Sequence, residues 1–320
     1  MNHDILKQFC ETVEREKFNM YGVKVETGNG EAAIKLWRTN DRLCMYSASK
    51  TFTSIAMGIA VDEGLITLED HILDYFPEYA PVASPGTEKI TLRHVLKMVT
   101  GKNERFFPNH EPQTTPGMPR PEVTDAWNTP RDWAGIYFGI PVTTEPGSYF
   151  QYSNLNPYMC GRVIEKVSGA TLRDYLKPRF FDHLKIYNPQ WFTSPEGHTI
   201  GWSKLFLNTD EFSRLGHVLL HEGEYNGKRL VSADYIRKMH TDVNSSESAA
   251  KLGDNRHSLQ GYGYFVWLCD YKDAYRADGR YGKFCIVVPS KDCVVTITAH
   301  QEDRLEELLD AVFRDIVDQL

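Results

Sequence analysis

The sequence predicts an α/β (α+β) fold, in which an antiparallel sheet is flanked by terminal helices and interrupted by an inserted, mainly helical domain. β-rich segments occur at both ends of the chain, the middle is mainly helical, and each end carries an amphipathic helix. The simplest packing joins the two β-rich ends into one sheet that the terminal helices cover. We therefore expect residues 1–70 and 255–320 to form a discontinuous α/β domain, and residues 71–254 to form the helical domain.

The first elements are a helix, a hairpin and a second helix. Apolar residues at helical spacing predict an amphipathic helix over 1–17. Short strands over 21–25 and 32–37 flank a Gly-Asn-Gly sequence, which is typical of a hairpin tip. An apolar run over 52–61 then predicts a largely buried helix, which ends at Gly64 because glycine is favoured just beyond a helix C-terminus.

The middle of the chain combines helices with a long irregular stretch. Helical patterns occur over 91–100, 157–177 and 210–221. Eight prolines, together with glycines and aromatic residues, interrupt the chain over 102–147. This composition predicts an irregular loop, and loops of this length usually carry function.

The C-terminal part changes to a strand pattern. β-rich segments occur over 262–270, 275–278, 284–288 and 293–299, and turn residues separate them. A final amphipathic helix is predicted over 305–320. These segments supply most of the strands that the predicted sheet requires.

Composition excludes several classes of protein. The chain has 320 residues, of which 41% are hydrophobic and 25% charged, so a globular core needs no disulfide support. Lys and Arg number 36 and Asp and Glu 43, and the resulting net charge of −7 does not favour a nucleic-acid partner. The most apolar run, over 54–61, is too short for a membrane span.

The six cysteines and the N-terminus indicate a reducing compartment. None of the cysteines forms a C-x-x-C pair, so we expect mostly buried free thiols. The first residues lack the apolar segment and cleavage site of a signal peptide. We therefore expect a cytoplasmic protein.

Ser47 and Lys50 form an S-x-x-K sequence at the start of the predicted buried helix. Residues three apart share a helix face, so the Lys50 amine can approach the Ser47 hydroxyl. The positive helix end favours a neutral lysine and stabilises an oxyanion, which suits a nucleophile and its base. The alternative is structural: Ser47 as a helix cap, with Lys50 in solvent.

Tyr152 and Asn154 lie in a Tyr-Ser-Asn sequence before another predicted helix. A tyrosine hydroxyl near a lysine can relay a proton, because the positive charge lowers the pKa of the phenol. An asparagine amide has both a donor and an acceptor, so it can contact a substrate carbonyl and the lysine together. The alternative is an ordinary loop-to-helix junction with Asn154 as the cap.

The third candidate segment is Ala277-Asp278-Gly279, followed by Arg280. A glycine at the end of a strand lets a substrate lie close to the strand edge. A backbone N–H there can complete an oxyanion hole with that of Ser47. The alternative is a glycine-rich hairpin turn.

The order of these three motifs resembles the serine β-lactamase and penicillin-binding-protein family. It is most similar to the class C β-lactamase-like branch, which includes D-alanyl-D-alanine carboxypeptidases, D-aminopeptidases, family VIII-type esterases and 6-aminohexanoate-oligomer hydrolases. Segments over 66–70, 90–96, 145–147 and 225–230 also look like segments of this family, so the resemblance covers nearly the whole chain.

The resemblance implies a role for each candidate residue. Ser47 is the acylated nucleophile, Lys50 its base partner, and Tyr152 a second proton-transfer group. Asn154 orients the substrate, and the backbone N–H groups of Ser47 and Arg280 form the oxyanion hole. The expected enzyme is a serine hydrolase with a β-lactamase-like fold that needs no metal or organic cofactor.

The third motif departs from the family pattern. Penicillin-recognising members have Lys-Thr-Gly or His-Thr-Gly at this position, whereas this chain has Asp278 before Gly279. An anion there repels a substrate carboxylate, although Arg276 and Arg280 can restore positive charge. We therefore expect an ester, an amide or an amine-bearing short peptide as substrate, with weak action on β-lactams.

Two alternatives complete the sequence-based account. A non-catalytic ligand-binding or penicillin-sensing module can have the same fold. His217 and His221, four apart on a predicted helix, can present two metal ligands, but the H-E-x-x-H order is absent and we expect no metal site. The sequence leaves the oligomeric state open.

Overall fold

The structure, a computed structural model, describes residues 3–103, 132–248 and 256–320 and contains one large antiparallel sheet. The strands are β1 (Met20–Thr27), β2 (Ala32–Leu36), β3 (Leu43–Cys44), β4 (Phe206–Leu207), β5 (Glu224–Tyr225), β6 (Lys228–Arg229), β7 (Trp267–Leu268), β8 (Tyr275–Gly279), β9 (Lys283–Val288) and β10 (Cys293–Ala299). Six of them form the sheet, in the order β2-β1-β10-β9-β8-β7. The short pairs β3–β4 and β5–β6 lie outside it.

Helices are the other regular elements of the described chain. They are α1 (Lys7–Glu16), α2 (Ser49–Asp62), α3 (Leu92–Leu96), α4 (Trp133–Gly139), α5 (Leu155–Ser168), α6 (Leu172–Leu176), α7 (Thr209–Leu220), α8 (Ala233–Thr241) and α9 (Leu305–Asp315). A π-helical turn, Lys177–Phe181, follows α6. A 3-10 turn, Tyr46–Ala48, precedes α2.

The pairing of β1 with β10 joins the two ends of the chain, as predicted. Val23 pairs with Ile297 and Val25 with Val295, and all four side chains are buried. One face of the sheet packs with α1 and α9 into a core of its own, and the other face belongs to the core that contains α2 and α7. The predicted α/β (α+β) class, with an antiparallel sheet and terminal helices, is confirmed.

Helix α7 packs closely on the sheet. A Cβ atom added at Gly216 would lie 2.3 Å from a Val294 methyl group and 2.7 Å from the Cys285 sulfur, so only glycine lets the helix approach β9 and β10 this closely. This helix falls within the predicted helical domain, 71–254, yet it covers the sheet. The domain boundaries stay a prediction, and the one between residues 254 and 255 lies outside the described residues.

Several predicted elements have different limits. The helix predicted over 91–100 ends at Leu96, because Met98 has a left-handed backbone (φ 57°). The helix predicted over 157–177 is two helices, α5 and α6, because Gly169 turns the chain (φ 71°). Most of the strand predicted over 262–270 is irregular, and only β7 forms there.

The predicted irregular loop, 102–147, is described only in part. Residues 104–131 of it lie outside the described residues. Its last part contains a helix, α4, which the sequence did not predict because prolines are frequent in this stretch. Asp132 begins this helix, since its carboxylate accepts a hydrogen bond from the Gly135 N–H.

The cysteines agree with the prediction of free thiols. All six are unpaired, and four of them, Cys160, Cys269, Cys285 and Cys293, are buried. In the parts of the chain that the structure describes, no helix has the length and apolar character that crossing a bilayer demands.

Candidate active site

Ser47 lies in the 3-10 turn that leads directly into α2. Its side chain is half-buried and does not cap the helix, because the N-cap residue is Ala48 and no side chain accepts a capping hydrogen bond. Tyr46, immediately before it, has a left-handed backbone with φ 46°, which is uncommon for a bulky residue. The turn thus places the Ser47 hydroxyl at the positive end of α2.

Lys50 is buried beside this hydroxyl. It is 1% exposed, so its placement in solvent is excluded. Its Nζ atom lies 3.0 Å from Ser47 Oγ and 3.0 Å from Asn154 Oδ1, and it donates to the Trp202 carbonyl at 3.3 Å. An ammonium group has three donors for these acceptors, while a neutral amine can donate two hydrogen bonds and accept the proton of Ser47.

Tyr152 presents its ring to Lys50. The Nζ atom lies 4.7 Å from the ring centroid, within cation–π distance. The ring is stacked on Trp267, with centroids 5.6 Å apart and planes at 21°, and meets the edge of Tyr262 at 6.0 Å. These two buried aromatic residues fix the tyrosine, and an aromatic-rich sequence over 262–267 is the only sequence signal for them.

Asn154 occupies the N-cap position of α5, but its side chain makes no capping hydrogen bond. The Ser153 hydroxyl does so instead, because it accepts a hydrogen bond from the Asn156 N–H in the first turn of the helix at 2.9 Å. The amide of Asn154 therefore contacts Lys50 and not the helix. The side chain of Asn154 is thus not the helix cap of the alternative interpretation, and its role toward a substrate stays a prediction.

The Trp202 carbonyl is a part of the site that the motifs do not contain. Gly201 has φ 77°, and an added Cβ would lie 2.6 Å from the Pro157 carbonyl oxygen. The Thr53 hydroxyl donates to the Gly201 carbonyl at 2.7 Å. The chain before Trp202 therefore lies close against α5 and is hydrogen-bonded to α2, and the Trp202 carbonyl oxygen faces Lys50.

Gly279 brings the end of β8 against the turn that contains Ser47. An added Cβ would lie 2.2 Å from the Met45 carbonyl oxygen and 3.2 Å from the Ala48 nitrogen. Glycine is thus required here by a close approach of two backbone segments. In the described part of the chain, β7 pairs with β8 only as far as Arg276, so residues 277–279 form the outer edge of the sheet.

Arg280 follows Gly279 in the turn between β8 and β9. Its side chain is exposed, and the guanidinium carbon lies 4.8 Å from the Tyr281 ring centroid. Its backbone N–H belongs to the segment that Gly279 brings beside the Ser47 turn. An oxyanion hole formed by the N–H groups of Ser47 and Arg280 stays a prediction.

Asp278, which is partly exposed, forms an ion pair with the buried Arg276. The Arg276 Nε lies 2.7 Å from the Asp278 carboxylate, and the arginine is 0% exposed. Burial raises the pKa of Asp278, while the charges of Arg276 and Lys50 oppose this rise. A substrate at this edge therefore meets a compensated ion pair rather than the isolated anion that the sequence suggested.

Arg276 is held by further contacts. It donates to the carbonyl groups of His257 at 3.2 Å and Leu268 at 3.1 Å, and to the Ser258 hydroxyl at 3.1 Å. Residues i and i+2 of a strand lie on the same face, and this alternation is the signal in the sequence that pairs Arg276 with Asp278.

Comparisons with known proteins concern the family and the fold of the chain. The family model described as Beta-lactamase matches residues 17–317. The chain is 27% identical to the lovastatin esterase of Penicillium rubens over 166 residues, which cover 48% of this chain and 40% of that protein. It is 22% identical to the 6-aminohexanoate-dimer hydrolase of Paenarthrobacter ureafaciens over 205 residues, which cover 62% and 51%. The matched stretches thus span about half or less of these two relatives.

A solved structure shows the same fold. A Bacillus anthracis protein assigned as a 6-aminohexanoate-dimer hydrolase has a TM-score of 0.76 and 19% sequence identity, and the match covers 97% of this chain and 80% of that one. At this identity the likeness concerns the fold alone. Together with the family match over nearly the whole chain, it confirms the expected β-lactamase-like fold. The chain belongs to the beta-lactamase family.

Proposed function

We propose that this protein is a serine hydrolase that cleaves an ester or amide through an acyl-enzyme. One observation carries the proposal: a buried lysine, Lys50, lies 3.0 Å from both the Ser47 hydroxyl and the Asn154 amide. A lysine at this distance can accept the serine proton as the oxygen attacks. Asn154 holds the lysine through Oδ1, and its NH₂ group is suited to a substrate carbonyl.

The proposed reaction has two halves. Ser47 Oγ forms a bond to the substrate carbonyl carbon as its proton passes to the base, and the N–H groups of Ser47 and Arg280 stabilise the oxyanion. The bond to the leaving group then breaks, and the proton is returned to the departing oxygen or nitrogen. Water adds to the Ser47 ester and releases the acid, which restores the hydroxyl.

The contacts favour Lys50 as the base toward Ser47. The Lys50 amine touches the serine directly, and the Tyr152 ring lies 4.7 Å from the same amine. We assign Tyr152 to the second proton transfer, with its ring position fixed by Trp267. Each of these steps uses groups of the protein itself.

The segment Ala277-Asp278-Gly279 favours a substrate that has no carboxylate group for the enzyme to bind. The family's usual cation at this position is replaced by a neutral Arg276–Asp278 pair. We infer that neutral or amine-bearing esters and amides are preferred and that β-lactams are poor substrates. Two of the relatives, an esterase and a 6-aminohexanoate-dimer hydrolase, agree with ester and amide chemistry.

The proposed substrate is a small molecule or a short peptide, and the proposed location of the protein is the cytoplasm. The free thiols support the compartment, because disulfides are rare in reducing surroundings. Neither nucleic acid nor a membrane enters the proposal.

A panel of substrates tests it. Wild type and Ser47→Ala are compared on p-nitrophenyl esters, amine-bearing amides and a cephalosporin. We expect turnover of an ester or amide by the wild type alone, with the cephalosporin the slowest. A wild type that binds these compounds without turnover is the result expected of a ligand-binding or penicillin-sensing module, and it would refute the proposal.

A further inference from the structure

Lys283, the first residue of β9, is a second buried lysine near Ser47. It is 2% exposed and donates to the Ala299 carbonyl oxygen of β10. Its Nζ atom lies 5.7, 5.4 and 5.6 Å from the ring centroids of Tyr21, Tyr46 and Tyr281. Three aromatic rings and one carbonyl oxygen thus surround the ammonium group. We call Tyr21, Tyr46 and Tyr281 the tyrosine cage.

Two residues of the tyrosine cage adjoin the proposed oxyanion hole. Tyr46 immediately precedes Ser47, and Tyr281 immediately follows Arg280. Their rings meet edge to face, with centroids 5.3 Å apart and planes at 86°. Both have left-handed backbones, with φ 46° and 65°, which bulky residues adopt only where surrounding structure holds them.

We propose that Lys283 is a positioning residue, whose ammonium group binds the rings of Tyr46 and Tyr281 and so sets the relative position of the Ser47 and Arg280 N–H groups. The inference rests on the proposed function, since it gives the two N–H groups their role in stabilising the oxyanion. A fixed distance between them matters because misplacement of a catalytic group by about 1 Å can cost roughly 10²-fold in rate.

The position is unfavourable for a lysine kept only for packing. Burial lowers the pKa of Lys283 to about 8, so the charged form is held at a cost in free energy. An apolar side chain of the same length would fill the space without that cost. Cation–π attraction to the tyrosine cage is what the charge adds.

Other charged and titratable groups face the same cluster. An electrostatic interaction with Cys44 of β3 opposes the lowering of the Lys283 pKa by burial. Lys204 lies 5.9 Å from the ring centroid of Tyr46, and the Arg280 guanidinium carbon lies 4.8 Å from that of Tyr281. His300 stacks on Tyr281, with centroids 4.3 Å apart. The charge of Arg280 also acts on Tyr46, where it opposes the rise in pKa that burial causes. Lys283 lies within cation–π distance of both rings.

A pH profile of wild type and two variants tests the inference. In the wild type we expect kcat for ester hydrolysis to fall as pH rises through about 8, because neutral Lys283 no longer binds the rings. Lys283→Met should lower kcat about 10- to 100-fold with KM nearly unchanged, and should lack this alkaline limb. Lys283→Arg, charged throughout, should recover part of kcat and also lack the limb.

Two further variants keep the test decisive. If Lys283→Met does not fold, Tyr281→Leu should show the same loss of kcat, and Tyr281→Phe, which keeps the ring, should not. Lys166→Met is the matched control, because that lysine also lies over a ring, 5.3 Å from the Phe76 centroid, near the far end of α5. Its profile should equal that of the wild type.

The outcomes separate this inference from the proposed function. Lack of turnover by the wild type refutes the function itself. An active wild type whose kcat and alkaline limb are unchanged in Lys283→Met and Lys283→Arg, or in Tyr281→Leu where Lys283→Met does not fold, overturns the positioning role alone.

Discussion

The Nζ atom of Lys50 lies 3.0 Å from the Oγ atom of Ser47, in a position where the lysine is 1% exposed. Burying an amine costs free energy unless hydrogen bonds replace its water. Here Ser47, Asn154 and the Trp202 carbonyl replace it, and they come from three separate parts of the chain. The fold thus brings distant residues together around one amine and one hydroxyl.

Replacement of Lys50 by methionine should abolish most activity without unfolding the protein. Methionine fills the same space but has no donor and no basic group, so acylation of Ser47 should slow about 10³-fold. Loss of a buried polar amine favours the folded state, whereas loss of its hydrogen bonds to Asn154 and Trp202 opposes it, so Tm should change by less than about 5 °C. Stopped-flow acylation and thermal unfolding measure the two quantities. An acylation rate within about threefold of wild type would refute the role of Lys50.

An alanine at position 279 should damage the site through the backbone. The added Cβ would lie 2.2 Å from the Met45 carbonyl oxygen, so β8 and the Ser47 turn must move apart. We expect a loss of about 1–3 kcal/mol in the free energy of unfolding and about 10²-fold in kcat. Denaturant unfolding and ester hydrolysis check these values.

Gly139→Ala is the control for this prediction. At that position, near the end of α4, the nearest atom to an added Cβ is 3.9 Å away. Its stability should stay within about 0.5 kcal/mol of wild type. Equal effects of the two substitutions would show that Gly279 has no special close approach.

Asp278→Asn should change substrate preference. The amide keeps an oxygen for Arg276 but removes the negative charge, so the edge of β8 becomes positive. The ratio of kcat/KM for a carboxylate-bearing ester to that for its amine-bearing analogue should rise about tenfold, or about 1.4 kcal/mol. Alanine is the worse choice, because it leaves Arg276 buried without its partner at a cost of about 3–5 kcal/mol.

Asp315→Asn makes the same change of charge elsewhere. Asp315 lies at the end of α9, is 1% exposed and pairs with Arg314 at 2.6 Å. This variant should leave the substrate ratio unchanged. An unchanged ratio in Asp278→Asn as well would mean that Asp278 does not influence specificity.

The sequence predicts those parts of the site that depend on residue type and local spacing. The contact between Ser47 and Lys50 follows from a separation of three residues at a helix start. For Gly279 the sequence predicts the close approach of a substrate to the strand edge, whereas in the structure it is the Met45 carbonyl oxygen that comes close. The contribution of Trp202 could not be predicted, because it is a backbone oxygen and any residue supplies one. The Arg276–Asp278 ion pair could have been predicted, because strand alternation places both side chains on one face of the sheet.

The differences in the fold have similar causes. The limits of α3 depend on Met98, a residue with no intrinsic preference for the left-handed backbone that it adopts. Only β7 forms within 262–270, although the aromatic residues there favour strands, because several of them pack around Tyr152 and α2. Left-handed backbones, which residue type does not reveal, occur at Met98 and also at Phe265 within 262–270.

The most direct test of the central claim is the mass of the intact protein after reaction with a fluorophosphonate. We predict one covalent adduct on wild type, located on the peptide that contains Ser47, no adduct on Ser47→Ala, and a much slower reaction of Lys50→Met. A wild type that acquires no adduct and hydrolyses no ester, or an adduct that persists in Ser47→Ala, would contradict the account.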